Sequence, residues 1–531
     1  MRRSALGRSR AAKGLAVGVL AGSLLTSVAA QASNGLDSPE TGVVQMSRGG
    51  AWVARADNPL SAYFNPAAMA FNPSGVHLGA QLLIRSHCFD RVDASGNRPT
   101  PGGNISTAPP EQVCADITPF PNPQLAATFR IHDQWAVGFA FVAPHAAGNV
   151  EWPTFIEYAN AAGFTDPRPS PTRYMLLKSS TLAAFPTLSV AFRPLEELSI
   201  GAGFSWGFAT YEFGNMAEAI SAARCPDPSA PCPSNGNLQP DEYTFDIRSN
   251  IKGTDAFIPG FVIGVLAAPT DFLDIGGWYR FSDAIRSQFD LETLAPFYTD
   301  QGNGENPDAE TTAVDDAGNF KIAIPMEARI GLRYHHRRDG GEGQEWLSQH
   351  GDWARDGWAQ DWFDIELDLT WAHNSAVDRI EIIMNEPYQI NGTGTGQVPI
   401  DASQVRNWKD VLGVRLGGEF VPVPDLIAVR AGGFFESRGV ADEFVNIDFM
   451  LSEKAGVALG AGVRLGPVDI NLGYQHTFFF TIDNGGQGEV KALSGDGSDE
   501  LDPPNRTRQS VNGGKATSRL DEVGLGATFH W

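Results

Sequence analysis

Fourteen stretches of this chain alternate apolar side chains with polar or small ones, and several run for more than ten residues. In one, Leu198, Ile200, Ala202, Phe204, Trp206 and Phe208 alternate with Ser199, Gly201, Gly203, Ser205, Gly207 and Ala209. In another, Phe363, Ile365, Leu367, Leu369 and Trp371 alternate with Asp364, Glu366, Asp368 and Thr370. A period of two is the mark of a strand with unlike faces. A soluble sandwich gives the same alternation, but its strands average about five or six residues. A tilted strand needs about 9 to 11 residues to cross a bilayer. Length therefore decides for a membrane barrel, with hydrocarbon outside and a polar lumen inside.

The stretches lie near 75–85, 122–132, 135–144, 179–193, 197–213, 243–267, 272–290, 319–335, 361–383, 407–421, 425–438, 454–466, 468–482 and 518–531. The number is even, as an up-and-down antiparallel barrel requires. Connection lengths supply a second test, because periplasmic turns are short and outer loops long. The connections at 132–134, 194–196, 269–271, 422–425 and 466–467 are short, and those between them are long. Only 336–360 breaks the alternation, which places both termini in the periplasm. Trp346, Trp353, Trp358 and Trp362 crowd this aberrant connection, where an interfacial aromatic belt is expected. Pro186, Pro259 and Pro325 interrupt predicted strands; each marks a bulge at the rim or an edge of a gap.

Arg2, Arg3, Arg8, Arg10 and Lys13 precede an apolar run from Leu15 to Val28 and then Ala30-Gln31-Ala32. That is the pattern of a cleaved secretory signal over residues 1–32. No later segment has the roughly 18 uninterrupted apolar residues of a spanning helix. A mean hydropathy of −0.19 suits a barrel, because alternation halves the signal. The net charge of −23 argues against nucleic acid as a partner. Cys88, Cys114, Cys225 and Cys232 form two sequence-near pairs in loop-like stretches. In an exported chain these are expected as disulfides, 88 with 114 and 225 with 232. Neither spacing suits a redox or metal motif, and no cofactor or metal is expected. His335-His336 fails as a metal site because strand neighbours point to opposite faces. The acidic Asp496–Asp502 stretch lacks regular calcium-loop spacing.

Some forty residues precede the first strand, from about Ser33 to Asn72, and include RGGAWVARADNPLSAYFNPAAMA. Paired glycines and two Asn-Pro steps suggest compact turns that pack inside a lumen. The inward faces facing them are small: Ala136, Gly138 and Ala140; Gly201, Gly203 and Gly207; Gly456, Gly460 and Gly462. Arg48 and Arg55 of this segment are expected partners for the lumenal Asp364, Glu366 and Asp368. Arg48-Gly49-Gly50-Ala51, Asp57-Asn58-Pro59 and above all Asn65-Pro66-Ala67 resemble the N-terminal hatch of the FadL/TodX-like outer-membrane transporters of long-chain fatty acids and other hydrophobic compounds. The family's fourteen strands and aromatic C-terminal strand extend the resemblance over the whole chain. Trp531 stands where the family more usually ends in Phe, and the outer loops share little recognisable sequence with the archetype.

The resemblance implies an all-β fold: a 14-stranded antiparallel transmembrane β-barrel over 73–531, with a hatch over 33–72 inside the lumen. It implies a monomer in the bacterial outer membrane for passive uptake of long-chain fatty acids or other hydrophobic compounds, with no enzymatic activity. Expected partners are a fatty acid-like ligand, outer-membrane lipid and the barrel-assembly machinery, which reads Phe529 and Trp531. The family's hatch shifts on ligand binding and opens a lateral gap at a kinked third strand; Pro144 is the candidate edge of that exit. A chain of sixteen carbons gains roughly 12 kcal/mol on leaving water, at about 0.8 per methylene, so a water-filled pore is the wrong conduit. A general diffusion porin for polar solutes would need an open lumen, and an outer-membrane barrel enzyme would need a nucleophile and base together. A barrel acting as adhesin or assembly scaffold is the remaining class, and TonB-dependent transport does not fit so small a plug.

Overall fold

The computed structural model describes residues 41–98, 112–145, 148–159, 164–218, 243, 246–338, 355–392, 397–493 and 506–531. The signal segment, Cys225, Cys232, Trp346, Trp353 and the Asp496–Asp502 stretch lie outside the described residues.

Fourteen antiparallel strands close into one barrel. They are β1 (Gly75–Arg91), β2 (Phe120–His132), β3 (Trp135–Val142), β4 (Lys178–Ala184 and Thr187–Leu195), β5 (Leu198–Glu218), β6 (Asp246–Thr270) and β7 (Leu273–Ser282 and Ile285–Ala295). There follow β8 (Glu310–Ile322 and Glu327–Arg337), β9 (Asp361–Ala372 and Arg379–Met384), β10 (Val411–Val423), β11 (Ile427–Glu436), β12 (Lys454–Leu465), β13 (Val468–Phe479) and β14 (Gly514–His530). Closure comes from β14 on β1, with Gly75 opposite His530 and Arg91 opposite Gly514. A closed ladder satisfies every backbone group that a bilayer could not.

The faces are inverted relative to a soluble protein. Leu78 and Leu459 are 65% and 63% exposed, whereas His77, Gln81, Glu366, Arg415 and Gln475 are buried inside. Hydrocarbon covers the first set, and the lumen holds the second. Every strand read from alternation is present, but β5 and β6 reach 21 and 25 residues, longer than a bilayer crossing. Their outer halves stand clear of the membrane. Pro186 and Pro325 lie in breaks within β4 and β8, and Pro259 stays within β6, facing Trp206 beside a bulge. Proline has no N–H for the ladder, which is why all three sit at irregularities.

The expected tryptophan belt is only partly correct. Trp362 is exposed on the outer face, but Trp358 is 4% exposed and turns inward. Asp356 caps the short helix Gly357–Gln360 by accepting from Trp358 N at 3.1 Å. The indole then packs on Gly462 and under the guanidinium groups of Arg430 and Arg464. A helix cap in the connection decides its direction, and no strand periodicity could have revealed it.

Residues 41–72 lie inside the barrel. They form a helix, α1 (Val43–Ser47), and two 3₁₀ turns, Pro59–Ala62 and Pro66–Ala70. All are buried except half-buried Asp57. Ala62, Ala67, Met69 and Phe71 pack with Ala126, Ala136, Ala140 and Ala191 of the wall. Small wall residues make this approach sterically available.

Candidate functional site: filled lumen, apolar cavity and a break in the wall

Beneath the N-terminal segment, β9 presents Asp364, Glu366 and Asp368 inward, and β10 adds Glu419. Asp368 accepts Trp52 N at 2.8 Å and Val53 N at 3.1 Å, and Glu366 accepts Ala54 N at 2.6 Å. Arg48 Nη2 pairs with Asp364 at 2.7 Å and with Glu366 at 3.4 Å. Arg55 pairs with Asp364, with Glu419 at 2.6 Å and with Asp57 at 2.7 Å. Behind them Arg333 reaches Asp364 at 3.2 Å, and Arg430 reaches Glu419 at 2.6 Å. Buried charges persist only when paired and hydrogen-bonded, and here four barrel acids are met by Arg48, Arg55 and backbone amides of the inner segment together with Arg333 and Arg430 of the wall. The acids that invite a metal or catalytic reading are thus engaged in holding residues 48–55.

The glycines and the Asn-Pro-Ala step are explained by the same fit. Gly49 and Gly50 adopt φ of 62° and 81°, a left-handed turn that favours glycine. A Cβ at Gly49 would meet the backbone of Gly433, and one at Gly417 or Gly432 would meet Arg48 O. Asn65 Nδ2 donates to Val53 O at 2.9 Å and to Val265 O of β6 at 3.3 Å. Pro66 opens the 3₁₀ turn, and Ala67 touches Gly201 of β5 so closely that a side chain there has no room.

Beyond this inner segment lies an apolar cavity with about 870 Å³ of atom-free space, its open part included. Met175, Phe213, Ile251, Phe320, Ile382 and Met384 are among its lining, and among the described residues Arg406 and Asp448 are the charged ones on it. Sequence reading missed these two. They come from the β9–β10 and β11–β12 connections, and no motif links them.

The third feature is a wall break. Pairing of β2 with β3 ends at Gln124 opposite Val142, and beyond it two separate short strands, Asp116–Ile117 and Gly148–Glu151, set Ile117 opposite Val150. Ala143 and Pro144 take no place in either neighbouring ladder. Phe120, Phe141, Leu182 and Phe208 pack around Ala143 and Ala184 there. Gly148, at φ 67°, lets the Phe120 ring lie against its α-carbon.

The remaining sequence-read residues are placed apart from this axis. Cys88 and Cys114 face each other and are disulfide-bonded above the β1–β2 hairpin. Phe529 faces outward on β14, its ring 5.7 Å from that of Trp531, which also lies 5.6 Å from Phe129. In the break within β9, Ser375 Oγ donates to Asp410 at 2.6 Å while His373 Nδ1 lies 3.2 Å from Ser375 and 3.1 Å from Asp410. A nucleophile relay uses the two imidazole nitrogens on opposite sides. Here both partners crowd Nδ1, and the arrangement is a hydrogen-bonded corner of the turn that interrupts β9.

A closed barrel with a hydrocarbon exterior, residues 41–72 in the lumen and an apolar cavity beyond defines the class of outer-membrane channels for hydrophobic compounds. The chain belongs to the outer-membrane protein transport family (OMPP1/FadL/TodX), whose profile matches residues 23–489. No protein of curated function matches the sequence. Among solved structures, a Pseudomonas aeruginosa FadL homologue superposes with a TM-score of 0.63 at 16% identity, covering 93% of this chain and 99% of that one. The Pseudomonas putida toluene transporter TodX gives 0.54 at 11%, with coverage of 93% and 99%. The Ralstonia pickettii toluene transporter TbuX gives 0.53 at 11%, again covering 93% and 99%. At these identities the structures establish the shared fold alone.

Proposed function

We propose that the protein admits hydrophobic molecules passively through the outer membrane, with residues 33–72 as a movable hatch and release sideways through the barrel wall. The ligand enters from the outer loops, settles in the apolar cavity and displaces the hatch. It leaves at the break beside Pro144, into the bilayer. The observation that carries this reading is the apolar cavity beyond a lumen filled by residues 41–72. Residues 41–72 packed across the lumen obstruct polar solutes, whereas an acyl chain or aromatic ring gains from each apolar surface it meets. The Phe120 cluster serves as the apolar gate. Phe529 and Trp531 are the proposed assembly signal, and Cys88–Cys114 a brace for the first outer loop.

Cross-linking the gap tests the exit. Asn122 and Pro144 would face each other if the Gln124–Val142 register continued. Joining Asn122→Cys to Pro144→Cys with a short bis-maleimide is expected to stop uptake of a labelled fatty acid into liposomes. Uptake at the unmodified rate would remove lateral release from the account.

A further inference from the structure

The connection from Arg337 of β8 to Asp361 of β9 is long among the periplasmic turns, and its last residues reach under the inner segment. Arg355 N donates to Phe71 O at 2.8 Å, and Phe71 is the C-cap of the second 3₁₀ turn, where carbonyls have no partner within the turn itself. Arg355 Nη1 donates to Asp274 of β7 at 2.6 Å. Its guanidinium also lies 4.5 Å from the centre of the Phe71 ring, which Arg193 approaches at 4.0 Å. The next residue turns the other way: Asp356 accepts from Arg464 of β12. Trp358 then packs on Gly462 of that strand and with Val421 and Ala428, and its carbonyl accepts Asp425 N at 3.2 Å. Adjacent residues thus bind β7 and β12, five strands apart, so the chain here crosses the mouth of the barrel instead of following its rim. Gly357, on the crossing, leaves only 3.3 Å between an added Cβ and Arg55 Nη2 of the inner segment. Arg55, Asp57 and Phe71 on one side and Arg355, Gly357 and Gln360 on the other line one polar void of about 430 Å³ of atom-free space, its open part included.

We propose that residues 355–358 are a strap across the periplasmic mouth, which pins the end of the inner segment and closes the axial route. The inference rests on the inner segment being a movable hatch and names what sets the direction of its movement. With Phe71 tied to β7 and the strap tied in turn to β12, the segment cannot drop toward the periplasm. A ligand that displaces it finds the axial way barred and leaves through the wall.

The test is the double variant Arg355→Met, Asp356→Ala in the full-length barrel. It strands no wall charge, because Asp274 keeps Arg333 at 3.0 Å and Arg464 keeps Asp469 at 2.6 and 2.9 Å. Hydrogen exchange of the Phe71 and Asn72 amides is expected to rise at least about tenfold, the worth of one charge-assisted hydrogen bond. The amides of Trp52, Val53 and Ala54, held by Asp368 and Glu366, should keep their protection. Potassium chloride conductance of liposomes carrying the variant should rise by a similar factor over wild type. Either quantity unchanged in an assembled barrel overturns the strap. Should the double variant fail to assemble, Arg355→Met alone must show both effects, or the proposal falls. The hatch reading fails separately, if neither the strap variant nor Arg55→Met alters the rate of labelled palmitate uptake.

Discussion

Arg55 offers the cleanest way to loosen the inner segment without unbalancing the barrel. Its guanidinium makes two bonds to the wall, one to Asp364 and one to Glu419. Replacing it with methionine leaves Asp364 paired with Arg48 and Arg333, and Glu419 paired with Arg430. No wall carboxylate is stranded, and Asp57 on the inner segment is the most accessible of the arginine's partners. The loss is therefore close to that of two charge-assisted hydrogen bonds, about 1.5 kcal/mol each at the lower end, or about 3 kcal/mol. At about 1.4 kcal/mol per tenfold, the unseated population of residues 48–55 rises on the order of a hundredfold. Hydrogen exchange reads this directly, because the amides of Trp52, Val53 and Ala54 are held by Asp368 and Glu366. They should exchange on the order of a hundredfold faster in Arg55→Met, while β9 amides keep their protection. Unchanged protection at 52–54 in an assembled barrel would mean that the ion pairs do not seat the segment.

Gly201→Leu places a side chain against the backbone of Pro66 and Ala67 and should expel the second 3₁₀ turn at a cost of roughly 1–3 kcal/mol. Protease cleavage within 59–72 is the readout, and full resistance would count against the close fit. Ile382→Trp fills the apolar cavity and should weaken binding of any acyl ligand at least about tenfold in a displacement assay; wild-type affinity would move the ligand site elsewhere. Asp448 predicts a pH effect. Its folded pKa lies above the ordinary 3.8 because burial disfavours the charge. Protonation thus favours the packed loop, whose stability rises as pH falls through the folded value and is fully gained below the unfolded one. Exchange rates over 445–451 should show this dependence, and Asp448→Asn should flatten it; coincident profiles would contradict the assignment.

The parts legible in sequence are those governed by local periodicity. Alternation at Leu198–Phe208 and Phe363–Trp371 locates strands because lipid and lumen impose a period of two on every crossing. The inner segment was readable for a related reason: small residues such as Gly138 and Gly201 are absences that only a close neighbour requires. Arg48 and Arg55 could be matched with β9 acids because a lumenal carboxylate needs a partner. Arg406 and Asp448 had no such signature, since two long connections meet only in three dimensions. Pro144 marked one side of the wall break, but the other side, around Phe120 to Pro123, fell at the start of the stretch read at 122–132 and carried no reading of its own. Trp358 was misplaced because a cap, rather than a strand face, sets its direction.

The central claim is that a sealed barrel passes hydrophobic molecules and not ions. Liposomes containing the full-length protein, assayed together for uptake of a labelled long-chain fatty acid and for ion conductance, test it most directly. Saturable uptake with conductance near that of protein-free liposomes is the expected result. High conductance without fatty acid uptake would contradict it and make the protein a general porin.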